Sequence, residues 1–121
     1  VLIHALMDAL LGAAGLRDIG YYFPPEDDAY KGISSMILLK HVNSLLKEQG
    51  LEAYNIDIMV ISETPKLKPH IDTMKANLQA VLDIPLDRIS IKATTNEMLG
   101  AIGRREGIAA QAVVSVYEGE V

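Results

Sequence analysis

Residues 53–62 read AYNIDIMVIS, a β-branched run that predicts a strand ending at about Ser62. What flanks this run decides the fold. Upstream, Ser34 and Ser35 stand where they can cap a helix running through MILLKHVNSLLKEQG, with Gly50 as its stop. Ile37, Leu38, Val42, Leu45 and Leu46 recur there at helical spacing, while Lys40, Lys47 and Glu48 fall outside the stripe. Downstream, the two prolines of SETPKLKPH break the strand. A helix follows over about 69–82, with Pro69 in its first turn and Met74, Leu78 and Val81 facing inward. ISIKATT is a second strand, NEMLGAIGRREG a glycine-rich loop or helical turn, and IAAQAVVSVY a third strand.

At the other end, residues 2–15 form a helix that is apolar almost all round, which implies burial on several sides and a subunit interface. Gly15 ends it, residues 17–20 form a loop, and FPPEDD reads as an irregular exposed loop. The order α-α-β-α-β-β predicts an α/β (α+β) sandwich, with a mixed sheet carrying helices on one face. There is no repeat, low-complexity tract or linker, so the expectation for residues 1–121 is a single domain.

Composition narrows the function classes. One Phe, five Tyr and no Trp leave the core to Leu, Ile, Val, Ala and Met. A formal charge of −5 argues against broad affinity for nucleic acid or an acidic membrane surface, yet it leaves room for a small anion held by local donors. Without cysteine there is no disulfide framework, thiolate zinc site or cysteine nucleophile, which suits a reducing cytosol. No apolar run approaches the roughly 20 residues of a membrane-spanning helix. The sequence shows no secretory leader, begins without Met and starts inside a helix, so we expect a natural segment upstream of Val1.

Three places can carry chemistry. His4 is a lone imidazole in a greasy run, and Asp8 lies four residues on, on the same helical face. The pair reads either as a structural histidine satisfied by Asp8 or as a metal ligand whose tautomer Asp8 fixes. One histidine does not make a zinc centre, and neither His41 nor His70 has ligand spacing to it. The second place is KATTNEMLGAIGRREG, where Thr94, Thr95, Glu97 and two arginines offer phosphate donors beside a hard-cation ligand, or else form a polar turn with a solvated charge pair. The third is SETPKLKPH, a rigid loop leaving a strand, which either presents backbone groups to a flat base edge or is an ordinary connection.

HALMDALLGAAGLRDIGYYFP, ETPKLKPHI, IKATTNEMLG and GRREGIAAQA together resemble the 2-C-methyl-D-erythritol 2,4-cyclodiphosphate synthase family, in one register along the whole chain. The resemblance implies a homotrimer with active sites at the subunit boundaries. It also implies metal-dependent cyclisation of a cytidylyl diphosphate, with release of CMP, in non-mevalonate isoprenoid synthesis. His4 matches a zinc ligand, and Glu97 the ligand of a second ion, magnesium or manganese. Asp18 and the backbone at Gly20 match the loop that holds the methylerythritol hydroxyls. Phe23, Pro24 and the residues through Asp27, with Ser35, match a segment covering the methylerythritol phosphate. Ser62, Glu63, Thr64, Pro65, Lys66 and Leu67 match a cytosine pocket supplied by the neighbouring subunit. Thr94 and Thr95 match the diphosphate contacts, and Arg104 and Glu106 match the lining of the trimer's central channel. The family's remaining zinc ligands belong to an Asp-x-His pair upstream of the matching histidine, and Ala101 stands where many members carry an aromatic residue. The rival readings are a trimeric nucleotide-binding module without the zinc site and a plain structural oligomer.

Overall fold

The computed structural model describes residues 2–27, 34–64 and 66–119. Asp28, the last residue of FPPEDD, and Pro65 lie outside the described residues.

Helix α1 spans Leu2–Ala13 and buries Leu6, Met7, Leu10 and Leu11, a single stripe at three- and four-residue spacing. Within the single chain His4, Asp8, Gly12 and Ala13 are exposed, so one chain alone covers only one side of this helix. Its end is a Schellman motif. Gly15 sits at φ +70°, the Leu16 N–H reaches the Leu11 carbonyl at 2.8 Å, and the Gly15 N–H reaches that of Gly12 at 3.0 Å.

Where the sequence suggests only a loop, a short helix α2 occupies Ile19–Tyr22. The side chain of its own N-cap residue, Asp18, makes no capping bond. The cap comes instead from α1, where Asp8 Oδ1 accepts the Ile19 N–H at 3.0 Å.

Helix α3 spans Ser35–Glu48, and Ser34 caps it as expected by accepting the Met36 N–H on its Oγ at 3.2 Å. The buried stripe is Leu39, Val42, Asn43 and Leu46, one residue out of phase with the expected one at its start, so Ile37 is left 48% exposed. Asn43 hides the true stripe from a hydrophobicity reading. It is buried because its Nδ2 donates to the Val81 carbonyl of the next helix at 3.4 Å.

Strand β1, Leu51–Ile61, is the middle strand of the sheet, in the order β2-β1-β3. It runs parallel to β2 (Ile89–Thr94) and antiparallel to β3 (Ala109–Glu118), a mixed sheet. A bulge between Ala53 and Asn55 resets the side-chain alternation, so Ala53, Ile56, Ile58 and Val60 all enter the core. The crossover from β1 to β2 carries a 3₁₀ turn at Lys68–His70 and helix α4 at Ile71–Leu82. Pro69 therefore opens the turn that precedes the helix, and Asp83 ends the helix at φ 55°.

The helices lie on one face, where small Ala110 and Ala112 of β3 join the core cluster beneath α1. At about 1.5–3 kcal/mol per fully buried aliphatic side chain, this one layer of Leu, Ile and Val drives the assembly. The opposite face carries Gln111, Val113, Ser115 and Tyr117, all exposed, and an Asp57–Lys92 ion pair at 2.9 Å.

Candidate active site

Two clefts gather most of the expected residues, and they share no lining side chain. The first, of about 170 Å³, lies beyond the carboxyl ends of the parallel pair β1 and β2, where ligands of such sheets commonly bind. Ser62, Glu63, Lys66, Leu67 and Lys68 line it on one side, and Ala93, Thr94 and Thr95 on the other. The ladder joins the walls one residue past β1, because the Ser62 N–H donates to the Thr94 carbonyl at 3.0 Å. The Ser62 hydroxyl in turn donates to the Thr64 carbonyl at 2.7 Å and folds that loop onto itself. Lys68 belongs to the SETPKLKPH loop but lies beyond the residues matched to the base pocket, which stop at Leu67. The signal that could have found it is the Lys-x-Lys spacing, which sets two cations on a loop facing two threonine hydroxyls.

Past β2 the chain turns sharply through Glu97 at φ 51° and Met98 at φ 62°, both in the left-handed region, at roughly 1–2 kcal/mol of strain apiece. The turn is held from several sides. Glu63 Oε1 accepts both the Asn96 and the Met98 N–H, each at 3.0 Å, and Thr95 Oγ1 accepts the Glu97 N–H at 3.3 Å. The Asn96 Nδ2 donates to the Leu99 carbonyl at 2.9 Å. Helix α5, Gly100–Gly103, brings Gly103 so close that a Cβ there would sit 2.1 Å from the Met98 carbonyl carbon. The Asn96, Glu97 and Met98 amides of this turn are thus taken by Glu63 and Thr95. The Thr94 hydroxyl donates to the Thr95 carbonyl at 3.4 Å, and the two lysines complete the polar lining of the cleft.

The second cleft, about 350 Å³, is lined by His4, Ile19, Gly20, Phe23, Pro25, Ser35 and Leu38 from α1, α2, α3 and the loop after α2. His4 is exposed, so the core-histidine alternative is not what the fold shows, and Asp8 pairs with the Ile19 amide rather than with the imidazole. Asp18 stands beside this cleft, its Oδ2 being 3.7 Å from where a Cβ on Gly20 would lie. Pro24 and Asp27 follow in a turn in which the Asp27 N–H reaches the Pro24 carbonyl at 3.0 Å. Pro25, not Pro24, faces the cleft.

Arg104 and Glu106 pair with each other at 2.6 Å on an exposed turn after α5, and neither lines these two clefts. Of the other histidines, His41 packs its ring against Phe23, with centroids 6.0 Å apart, and lines neither of these two clefts. His70 occupies the N-cap position of α4 without a side-chain cap bond.

Among the described residues no three His, Asp or Glu side chains converge to hold a metal. His4 and Glu97 each offer one exposed donor, which fits a ligand contributed to a shared centre but not a complete centre within these residues.

The fold is a mixed α+β sheet whose parallel strand ends carry a cleft lined by lysines, hydroxyls and one carboxylate. Comparison with known proteins gives the family. The profile of the YgbB family matches residues 1–117, and the chain belongs to that family. The 2-C-methyl-D-erythritol 2,4-cyclodiphosphate synthase of Nostoc punctiforme is 54% identical over 114 residues, 94% of this chain and 71% of that protein. The protein of that name from Porphyromonas gingivalis is 58% identical over 113 residues, 93% of this chain and 70% of its own length. These relatives are lyases acting on phosphorus–oxygen bonds, and the chain belongs with such enzymes.

Among solved structures, the bifunctional IspDF of Campylobacter jejuni superposes with a TM-score of 0.91 at 47% identity, over 96% of this chain and 31% of that longer one. The CDP complex of Plasmodium falciparum IspF superposes at 0.86 and 31% identity, over 99% of this chain and 72% of the other. No described helix is long and apolar enough to cross a membrane.

Proposed function

We propose that this chain cyclises 4-diphosphocytidyl-2-C-methyl-D-erythritol 2-phosphate to 2-C-methyl-D-erythritol 2,4-cyclodiphosphate with release of CMP, a step of isoprenoid biosynthesis in the cytosol. The observation that carries the reading is the strand-end cleft, where a loop of the cytosine-pocket sequence and the Thr94–Thr95 pair form two walls of one space. That relatives of this fold are described as CDP complexes supports the same use of the cleft.

In this reaction the substrate's own 2-phosphate oxygen bonds to the β-phosphorus, and the bond from that phosphorus to the bridging oxygen breaks. CMP leaves with the electron pair. No protein nucleophile is needed, so the task is to fold a flexible polyanion back on itself. The loop from Ser62 to Lys68 holds the cytidine end, with Lys66 and Lys68 offsetting charge. Thr94 and Thr95 donate hydroxyl hydrogens to the diphosphate, Thr95 doing so while its lone pair holds the Glu97 amide. Asp18 and Gly20 orient the methylerythritol, and Phe23 and Ser35 close over its phosphate. His4 and Glu97 would each supply one ligand to a divalent metal, zinc at the first and magnesium or manganese at the second. The chemistry such ions would supply when bound is Lewis-acid neutralisation of developing charge. The two clefts stand apart within one chain, and a homotrimer would join the helical cleft of one subunit to the strand-end cleft of the next.

The test uses the intact native protein and its diphosphate substrate, followed by ³¹P NMR. The expected result is the cyclic diphosphate appearing in step with CMP. CDP at a hundredfold over its dissociation constant should also stabilise the fold by about 2.7 kcal/mol. A melting temperature indifferent to CDP, with no cyclic product, overturns the reading.

A further inference from the structure

We infer that Glu63 is a positioning residue. Its carboxylate fastens the wall of the strand-end cleft to the turn bearing Thr95 and Glu97, so that the two move as one body. The inference deepens the function proposed above and rests on it for its catalytic consequence, though not for its geometry.

The family resemblance implies a base-pocket role for Glu63, and one of its carboxylate oxygens has a second task. Oε1 takes two amides from a segment 33 and 35 residues further along the chain, those of Asn96 and Met98, at 3.0 Å each. Between those amides sits Glu97. Neither Glu97 nor Met98 is glycine, both hold positive φ, and a turn of that kind persists only where its surroundings over-determine it. Three devices do so here. Gly103 closes on the Met98 backbone from one side, the Thr95 hydroxyl holds the Glu97 amide, and the Glu63 anion holds the amides on either side. The first two belong to the segment itself. Glu63 alone reaches it from the other wall, and bonds to a charged acceptor are the stronger kind.

Glu63 is itself anchored, because Ser62 is buried, bonds to the Thr94 carbonyl through its amide and locks the Thr64 carbonyl with its hydroxyl. A ligand that orders the 62–68 wall therefore orders Glu97 through Glu63, without touching Glu97.

The experiment compares Glu63→Ala, Glu63→Gln and the double variant Glu63→Ala/Met98→Gly in the intact protein. It reads amide hydrogen exchange at Asn96 and Met98, CDP affinity, and turnover. In the parent both amides should be protected and CDP should slow their exchange further. Loss of two charge-assisted bonds in Glu63→Ala should speed exchange and lower kcat by at least about tenfold, with CDP affinity within about threefold. Glu63→Gln keeps an acceptor oxygen but loses the charge, so its exchange rates and turnover should fall between those of the parent and of Glu63→Ala. Met98→Gly removes one residue's left-handed strain and should recover a large part of the turnover that Glu63→Ala loses. A non-productive Glu63→Ala fold leaves the Gln variant and the CDP-dependent protection of the parent to decide the matter. Unchanged exchange in Glu63→Ala overturns the inference. So does a loss of CDP affinity equal to the loss of turnover, which would make Glu63 a ligand contact. If the parent binds no CDP and forms no product while Glu63→Ala still frees both amides, the functional reading fails and the clamp stands.

Discussion

The two clefts are built by opposite means. At the strand ends, ladder, hydroxyl and carboxylate bonds tie one wall to the other and hold the turn at Glu97 against them. In the helical cleft, His4, Gly20, Phe23 and Ser35 come from separate elements, joined by the Asp8 bond to the Ile19 amide and by the Phe23–His41 ring contact. The first arrangement is preorganised by bonds within the chain, while the second rests on packing between helices and a loop. Preorganisation matters where charge changes during reaction, whereas an exposed ligand needs only to be within reach.

Four substitutions can break or sharpen this contrast. The largest stability effect belongs to Gly103→Ala, whose new methyl meets the Met98 backbone at 2.1 Å. Denaturant unfolding should show a loss of about 3 kcal/mol, and CMP release should fall with it. A variant as stable as the parent would mean that the turn is not held from that side. Next comes Glu97→Ala. Its side chain is exposed, so the melting temperature should hold, while CMP release drops by about 100-fold if a cation's several kcal/mol of stabilisation is lost. Unchanged turnover would remove Glu97 from the mechanism.

Asp8→Ala should cost about 1 kcal/mol through the lost cap of α2, and Asp8→Asn should recover most of it. Equal zinc content in both variants would separate Asp8 from His4 chemically, whereas zinc lost in Asp8→Ala alone would rejoin them. The smallest effect on stability is that of His4→Ala, within about 0.5 kcal/mol, because the imidazole is exposed. Its zinc content, measured on the intact protein, should nonetheless fall. A large destabilisation would restore a structural role to the histidine.

The legible parts of the sequence were those governed by local rules. Ser34 as a cap, Gly15 and Gly50 in left-handed ends, and the strand at AYNIDIMVIS each follow from a few adjacent residues. Helix α2 was not legible, because its cap is supplied from eleven residues upstream rather than by Asp18. The phase of α3 was misread because Asn43, a polar residue, belongs to the buried stripe once the Val81 carbonyl satisfies it. The family motifs bring Glu63 into view as a cleft residue but say nothing of its bonds to the Asn96 and Met98 amides. Its two amide partners are remote in sequence, and no periodicity links them. Lys68 stays outside the matched pocket sequence, which stops one residue short of it.

The bulge in β1 has a consequence for how this chain can vary in length. Tyr54 is the extra residue, since Ala53 pairs with Val116 and Asn55 with the adjacent Ser115. Removing Tyr54 would heal the ladder and leave Ile56, Ile58 and Val60 on their present side, at the expense of its ring contacts with Arg88 and Tyr117. A one-residue deletion between Ile56 and Ile61 would instead turn part of that set to solvent and carry Ser62 and Glu63 out of register with Thr94. Strand β1 therefore has one position where natural or engineered shortening is tolerated, at the end of the sheet farthest from the chemistry.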